Sequence, residues 1–168
     1  MHKAVTLRYQ RRALHFIAGP YVERIAGTIG VKLAAEIVAP HDIDLPIEDF
    51  ETPTARELED ALMKALKMSM AGHLLYLGCM GGKGRTGMFL AALHRALTDG
   101  SEDSVQWVRR VYLPDAVETA AQRALVASYD VARVQNALHL DPDGKVTIEE
   151  FFARTGASLA RLLRLKSA

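Results

Sequence analysis

Residues 77–87, with the sequence LGCMGGKGRTG, carry the strongest structural signal in this chain. The compact apolar run HLLYLGC leads into the segment, and helical spacing of apolar residues resumes at Thr86. The pattern therefore predicts a buried β-strand, a glycine-rich turn and the start of a helix, in that order. The segment also holds the only cysteine of the chain, Cys79, six residues before Arg85.

Composition limits the classes of protein to which the chain can belong. Its 168 residues are 49% hydrophobic, with 21 Lys and Arg against 20 Asp and Glu. We therefore expect a real apolar core and no broad basic surface for nucleic acid. A single cysteine excludes an internal disulfide and fits a reducing compartment. The sequence shows neither a signal-peptide core nor a membrane span, so we expect a cytoplasmic protein.

Periodicity predicts strands near the amino terminus and helices thereafter. Short strands are expected at AVTLRY and ALHFIA, and another in the second half of residues 21–39. An amphipathic helix is expected from Thr54, where Glu57 completes a capping box, to Met70. Residues 40–53 are interpreted as a loop because three prolines punctuate them. Further helices are predicted within 86–100, 101–113, 117–140 and 147–165.

This order of elements favours an α/β fold with a small, mostly parallel central sheet flanked by helices. No repeat, low-complexity segment or linker divides the chain. We therefore expect one domain over residues 1–168, with a helical carboxy-terminal extension at about 139–168.

A glycine-rich turn between a strand and a helix start is suited to binding an anion. The first N–H groups of a helix have no intrahelical partner, and the helix dipole adds partial positive charge there. The expected phosphate ligands are the backbone of the turn and the guanidinium of Arg85, which can bind two oxygens at once. These residues are Met80, Gly81, Gly82, Lys83, Gly84 and Arg85.

Cys79 lies at the base of this predicted anion site, where the surroundings that bind a phosphate also favour a thiolate. A thiolate facing a bound phosphorus atom is arranged for in-line attack. Thr86 can donate a hydrogen bond to the sulfur and help it leave. The residues therefore predict a phosphatase with Cys79, Arg85 and Thr86 as catalytic residues.

The pattern Cys79-x5-Arg85-Thr86 resembles the signature of the protein-tyrosine phosphatase superfamily. The run GKGRTG is similar to the tensin-related lipid phosphatases and to short phosphatase-like proteins of bacteria and phages. The resemblance covers about residues 40–125. It implies the protein-tyrosine-phosphatase fold and a cysteinyl-phosphate intermediate, without metal or cofactor. The family usually carries His before the cysteine, and Gly78 stands there in this chain.

The resemblance also implies a general acid on a loop before the signature, in the form Asp-x3-Pro. Asp49 and Pro53 supply this spacing, so Asp49 would protonate the leaving oxygen and could then activate water. Asp42 and Asp44 are alternative acids in the same loop. Gln122 matches a family glutamine that positions the hydrolytic water, although a capping box with Thr119 explains it equally well.

The function suggested by these motifs is hydrolysis of a phosphomonoester, of protein-tyrosine or dual-specificity type. The expected partner is a phosphorylated protein or a small phosphorylated substrate, and phosphoinositides also fit the loop chemistry. Two alternatives stay open: a phosphate-recognition module without turnover, and a dinucleotide-binding protein. The second rests on Gly82-x-Gly84-x-x-Gly87, which matches a weak fingerprint.

The stretch HLDPDGKVTIEEF at 139–151 resembles a calcium-binding EF-hand loop. His139 stands where the loop needs its first Asp, and Pro142 is unusual inside such a loop. We favour a turn on Asp141–Gly144, followed by a helix that Thr147 and Glu150 cap. The six histidines are scattered, so no zinc site is predicted.

Overall fold

The computed structural model describes residues 1–98 and 100–155, which form five strands and six helices. The strands are β1 Lys3–Tyr9, β2 Arg12–Pro20, β3 Ile29–Lys32, β4 Ile43–Asp44 and β5 Leu75–Cys79. The helices are α1 Ala55–Met70, α2 Gly84–Leu97, α3 Ser104–Val111, α4 Ala120–Ser128, α5 Val131–Leu140 and α6 Ile148–Thr155.

The strands form one sheet in the order β1-β2-β5-β3-β4. Strands β2, β5, β3 and β4 are parallel, and β1 pairs antiparallel with β2 at the edge. The predicted α/β class with a mostly parallel sheet is confirmed. Because the four parallel strands end at one edge, the segments that follow them meet there.

The core surrounds β5 and α2. All five residues of β5 are buried, as expected for a central strand covered on both faces. Helix α2 packs against β5 and also contacts α1, α3, α4 and α5. Thirteen of its 14 residues are buried. The turn between β5 and α2 is therefore attached at both ends to the most buried parts of the molecule.

Several local predictions are confirmed. The helix expected from Thr54 is α1, and both hydrogen bonds of its capping box are present. The run HLLYLGC contains β5, and the second capping box, Thr119 with Gln122, opens α4. Helix α3 ends before Pro114, as predicted from the missing N–H of proline.

The prediction of one helix over 117–140 is wrong, because the chain turns between α4 and α5. Tyr129 adopts an extended backbone, and its hydroxyl donates to Ala92 O at 2.8 Å. The Asp130 side chain then caps α5 by accepting from Arg133 N at 3.1 Å. Both residues thus have tertiary or capping bonds that a continuous helix would not allow.

The loop predicted at 40–53 contains a short strand, β4, in register with β3. Ile43 pairs with Val31 and is 3% exposed, so the burial of its side chain fixes the register of β4 on β3. Helix α2 begins at Gly84, two residues earlier than its apolar spacing suggests. Glycine has low helix propensity, so sequence spacing places this boundary late.

The EF-hand-like segment is used for contacts within the protein. The buried carboxylate of Asp141 binds the Lys67 ammonium and accepts from Val146 N at 3.0 Å. Asp143 forms an ion pair with Arg12 at 3.0 Å. Within 1–98 and 100–155, no cluster of His, Cys, Asp and Glu is arranged to hold a metal ion. The segment is the predicted turn, which joins α5 to α6 and to α1.

Helix α6 begins after Thr147, whose hydroxyl accepts from Glu150 N at 3.2 Å. The remainder of the helix predicted over 147–165 lies outside the described residues. None of the described helices has the length and apolar character needed to cross a bilayer.

Candidate active site

The carboxyl end of β5 delivers Cys79 to the edge where the parallel strands end. The thiol-bearing residue is 2% exposed and is followed by a turn of four residues before α2 begins. The amino terminus of α2 therefore faces the same point as the cysteine, as the sequence pattern predicted.

Gly78 and Gly82 allow this turn to press against the end of β2. A Cβ atom at residue 78 would lie 2.1 Å from Gly19 O, so no side chain fits there. Gly82 has φ +68°, and a Cβ atom there would lie 2.6 Å from the Gly19 carbonyl carbon. This close backbone approach is a physical reason why glycine precedes the cysteine where the family usually has histidine.

Thr86 connects the helix start to the cysteine. Its hydroxyl oxygen accepts from Cys79 N at 2.9 Å and donates to Cys79 Sγ at 3.2 Å. Thr86 is fully buried, so no water competes for this hydroxyl. A hydrogen bond donated to sulfur stabilises its anionic form more than its neutral form.

Arg85 is buried beside the cysteine and is held by two acids. Its two terminal nitrogens donate to the two carboxylate oxygens of Glu36, each at 2.8 Å. One of them also donates to Ile47 O at 2.8 Å, and the other lies 2.9 Å from Asp49 Oδ1. This network fixes the plane of a guanidinium that is only 3% exposed.

The charges in this cluster shift one another. The hydrogen bonds from Arg85 hold the pKa of Glu36 below its ordinary value of 4.5, against an opposing effect of burial. Burial lowers the pKa of Arg85, but Glu36, Cys79 and Asp49 together hold it above its usual range. The guanidinium therefore stays charged, and Glu36 is a carboxylate at neutral pH.

The back of the turn is held by Tyr112. Its hydroxyl donates to Gly82 O, and the residue is 2% exposed. Burial, followed by the charge of Cys79, raises the pKa of this hydroxyl. The peptide unit between Gly82 and Lys83 is planar and trans, so its C=O and N–H groups point in opposite directions. Because Tyr112 holds the Gly82 carbonyl, the Lys83 N–H points away from Tyr112. The Lys83 ammonium itself forms an ion pair with Asp115 at 2.6 Å.

A cavity of about 220 Å³ opens in front of the turn. Gln122 lines one wall, where its Oε1 accepts from Thr119 N at 3.3 Å as part of the capping box. Its buried Nε2 has no hydrogen-bond partner among the described residues. The lining residues are Asp49, Phe50, Cys79, Met80, Gly81, Lys83, Gly84, Arg85, Glu118 and Gln122.

Most of the site residues predicted from sequence line this one cavity; Gly82 and Thr86 do not line it, and neither do the two alternative acids. Asp42 binds Gly30 N at 2.7 Å and Arg24 at 3.0 Å, and Asp44 pairs with Lys32 at 2.9 Å. Neither carboxylate lines the cavity, so Asp49 is the acid of this loop that reaches it.

Sequence reasoning missed Phe50, which adjoins Asp49 in the same loop. It also missed three side chains of the site that come from distant segments: Glu36, Tyr112 and Glu118. Each reaches the site only through the tertiary arrangement of β3, α3 and the segment before α4. The one local signal was an acid, Glu36, within the apolar run AAEIVA.

Comparison with known proteins agrees with this geometry. A family described as "Tc-R-P: Polymorphic toxin system, DSP-PTPase phosphatase" matches residues 14–97, which is half of the chain. Two uncharacterized proteins of Methanocaldococcus jannaschii, MJECL20 and MJ0215, are 36% and 34% identical over 86 residues. That stretch is 51% of this chain and 56% and 52% of theirs, so the chain spans about half the length of these relatives.

Solved structures show the same fold. Tk-PTP in its active form has 22% identity and a TM-score of 0.53, covering 73% of this chain and 90% of that one. Kinase associated phosphatase with a serine in place of its catalytic cysteine has 14% identity and a TM-score of 0.52, covering 81% and 90%. With the signature loop, the buried arginine and the family match in place, the chain belongs to the DSP-PTPase phosphatases of polymorphic toxin systems, within the protein-tyrosine phosphatase superfamily.

Proposed function

We propose that the chain hydrolyses phosphomonoesters through a cysteinyl-phosphate intermediate, as a phosphatase of protein-tyrosine or dual-specificity type. The observation that carries the proposal is the arrangement around one cavity of a sulfur and a buried guanidinium. Thr86 donates a hydrogen bond to Cys79 Sγ, and Arg85, which stays charged, lines the same cavity.

Phosphate binding would use the backbone N–H groups of residues 80–85 together with Arg85. Glu36 binds both terminal nitrogens of Arg85, and Asp49 contacts one of these nitrogens from an exposed loop. An incoming phosphate oxygen would displace the Asp49 carboxylate from that nitrogen. Binding would thereby release Asp49 to approach the leaving group.

In the first chemical step, Cys79 Sγ attacks phosphorus and the bond to the leaving oxygen breaks. Asp49 gives that oxygen a proton, and the phosphoryl group stays on sulfur. In the second step, water attacks phosphorus, a carboxylate at the cavity takes its proton, and the sulfur leaves as a thiolate that accepts from Thr86. Gln122 Nε2 would orient that water; its lack of a partner among the described residues supports this role, since Oε1 of the same amide is engaged by the helix cap.

The rim of the cavity favours an aromatic phosphate ester as substrate. Phe50 and Met80 line the cavity and are 59% and 54% exposed, so apolar surface flanks its mouth. A phosphotyrosine ring would cover this surface, which a phosphoserine side chain is too short to do. The ion pair between Lys83 and Asp115 reduces the positive charge available for a second phosphate. We therefore rank phosphotyrosine above phosphoinositides.

The experiment that tests this function is turnover of para-nitrophenyl phosphate by the wild-type chain and by Cys79→Ser. We expect the variant to lose turnover and to keep binding of phosphate or vanadate. Full activity of Cys79→Ser would refute the mechanism. Absence of release by the wild-type chain would indicate a phosphate-recognition module, and binding of NAD with indifference to vanadate would indicate a dinucleotide site.

A further inference from the structure

The segment that enters α4 is held in a strained conformation next to the phosphate-binding turn. Val117 has φ +60° although its side chain is β-branched, and it is fully buried. A β-branched residue adopts this left-handed backbone only when its surroundings force it to. Such strain is concentrated at functional sites, so the position it creates for the next residue, Glu118, is of interest.

Two arginines force this conformation. Arg109 donates to Ala116 O at 3.0 Å and to Val117 O at 3.2 Å. Arg123 donates to Val117 O at 3.3 Å and to Glu118 O at 3.1 Å. Three successive carbonyl groups are thus fixed by charged donors from α3 and α4, which holds the backbone of Glu118 in one place.

The strained segment places the Glu118 carboxylate against the phosphate-binding turn. A Cβ atom at residue 84 would lie 2.4 Å from Glu118 Oε2 and 3.1 Å from both amide atoms of Gln122. The two side chains therefore meet over Gly84, in the wall of the cavity that contains Cys79. Within 1–98 and 100–155, Glu118 forms no salt bridge, and the Lys83 ammonium, which is paired with Asp115, acts on its charge only from a longer distance.

We propose that Glu118 is a second catalytic carboxylate, which takes the proton from the water that hydrolyses the cysteinyl-phosphate. The inference rests on the proposed function. Gln122 Nε2 donates to the water oxygen and Glu118 accepts one of its hydrogens. The oxygen forms a bond to phosphorus, the phosphorus–sulfur bond breaks, and the electron pair returns to Cys79 Sγ. Glu118 then releases its proton to solvent, and Asp49 regains one before the next cycle.

Asp49 and Glu118 are assigned to different steps because their carboxylates occupy different positions in the site. Asp49 lies on an exposed loop with its carboxylate on Arg85, and its side chain is 62% exposed. Glu118 is exposed as well, but it lies in the segment before α4, over Gly84 and beside the buried amide nitrogen that lacks a partner among the described residues. A water bound to Gln122 thus has Glu118 as its neighbouring proton acceptor.

The test separates the two chemical steps in Glu118→Gln, which keeps the size of the side chain and removes its charge. We expect a rapid burst of para-nitrophenol at the wild-type rate, then turnover slowed by about a hundredfold. Acid quenching followed by mass spectrometry is expected to find phosphate on Cys79 during this slow phase. Glu118→Asp, which restores a carboxylate, is expected to recover part of the turnover. Glu51→Gln removes an exposed acid that does not line the cavity, and it serves as the matched control.

Wild-type turnover by Glu118→Gln, or a slowed burst without accumulated phosphocysteine, would overturn the role of Glu118 and leave the phosphatase mechanism intact. Absence of any Cys79-dependent release, in the wild-type chain and in every variant, would instead reject the proposed function. Vanadate binding by Glu118→Gln verifies that the phosphate site is folded.

Discussion

Glu36 sets the orientation of the Arg85 guanidinium. A guanidinium that is 3% exposed would be costly without a partner, and Glu36 supplies a two-point partner behind the cavity. Ile47 O accepts a further hydrogen bond from Arg85, so the orientation of the guanidinium is set before any substrate binds. A preorganised charge of this kind needs little rearrangement when the phosphoryl group is transferred.

The pKa of Glu36 leads to a prediction at the scale of this residue. Because Arg85 holds this pKa below 4.5, Glu36 contributes stability above that pH, and the contribution is lost as the pH falls through the lowered value. We expect Glu36→Gln to unfold at a lower urea concentration than the wild-type chain at neutral pH. The difference between the urea midpoints of the two chains is expected to vanish in acid, where residue 36 is neutral in both. A difference that stays constant across this pH range would contradict the prediction.

Tyr112 permits a second prediction, because its hydroxyl touches the turn without lining the cavity. Tyr112→Phe leaves the Gly82 carbonyl without its donor, at a cost of about 1–3 kcal/mol. We expect the turn to lose its fixed orientation, with a fall of about tenfold in kcat/KM if 1.4 kcal/mol is lost in the transition state. Slower alkylation of Cys79 by iodoacetamide should accompany this fall. Tyr9→Phe, on β1, provides a matched control for loss of a tyrosine hydroxyl.

At the scale of elements, one arginine forms two ion pairs between α5 and α1. Arg133 binds Glu59 at 2.9 Å and Asp60 at 2.7 Å, and Glu59 is almost fully buried. Arg133→Ala leaves the buried Glu59 carboxylate without its charged partner, with the Asp130 N–H still donating to it, and we expect this to destabilise the fold by about 3 kcal/mol. Arg56→Ala weakens an exposed ion pair at 3.7 Å and is expected to cost less than about 1 kcal/mol. Urea denaturation of both variants measures the difference, and equal effects would show that burial of Glu59 is unimportant.

The elements that could be predicted from sequence are those with local determinants. Strand β5, the turn and α2 follow from an apolar run, glycines and renewed helical spacing, and α1 follows from its cap. The break at Tyr129 and Asp130 could not be predicted, because Tyr129 is bound by Ala92 and Asp130 N by Glu59. Helical periodicity continues across such a break, whereas its cause lies in distant residues.

At the scale of the whole molecule, the parallel sheet brings residues that are distant in the sequence together in one site. Arg85 follows β5, whereas Glu36 follows β3 and Asp49 follows β4. Their contacts arise because β5, β3 and β4 are adjacent and parallel in the sheet. The family resemblance identified Asp49 through its spacing to Pro53, but no spacing in the sequence relates Glu36 to Arg85. Sequence reasoning therefore missed Glu36, which only the order of the strands brings to Arg85.

The proposal that residues 1–168 form a single domain can be tested through the buried ion pair of Lys67 and Asp141, which attaches the turn before α6 to α1. Both side chains are less than 5% exposed, so Lys67→Met leaves a buried carboxylate and is expected to cost about 3–5 kcal/mol. Trp107, the only tryptophan, lies on α3 and stacks on His94, away from this pair.

In a single cooperative unit, the loss of this ion pair must lower the denaturation midpoint reported by Trp107 fluorescence, because all elements unfold together. The midpoint from far-ultraviolet circular dichroism should fall by the same amount. Asp143→Asn removes a neighbouring, exposed ion pair with Arg12 and is expected to leave both midpoints nearly unchanged. A Trp107 transition that Lys67→Met does not move would instead show that the segment after α5 unfolds independently of the phosphatase core.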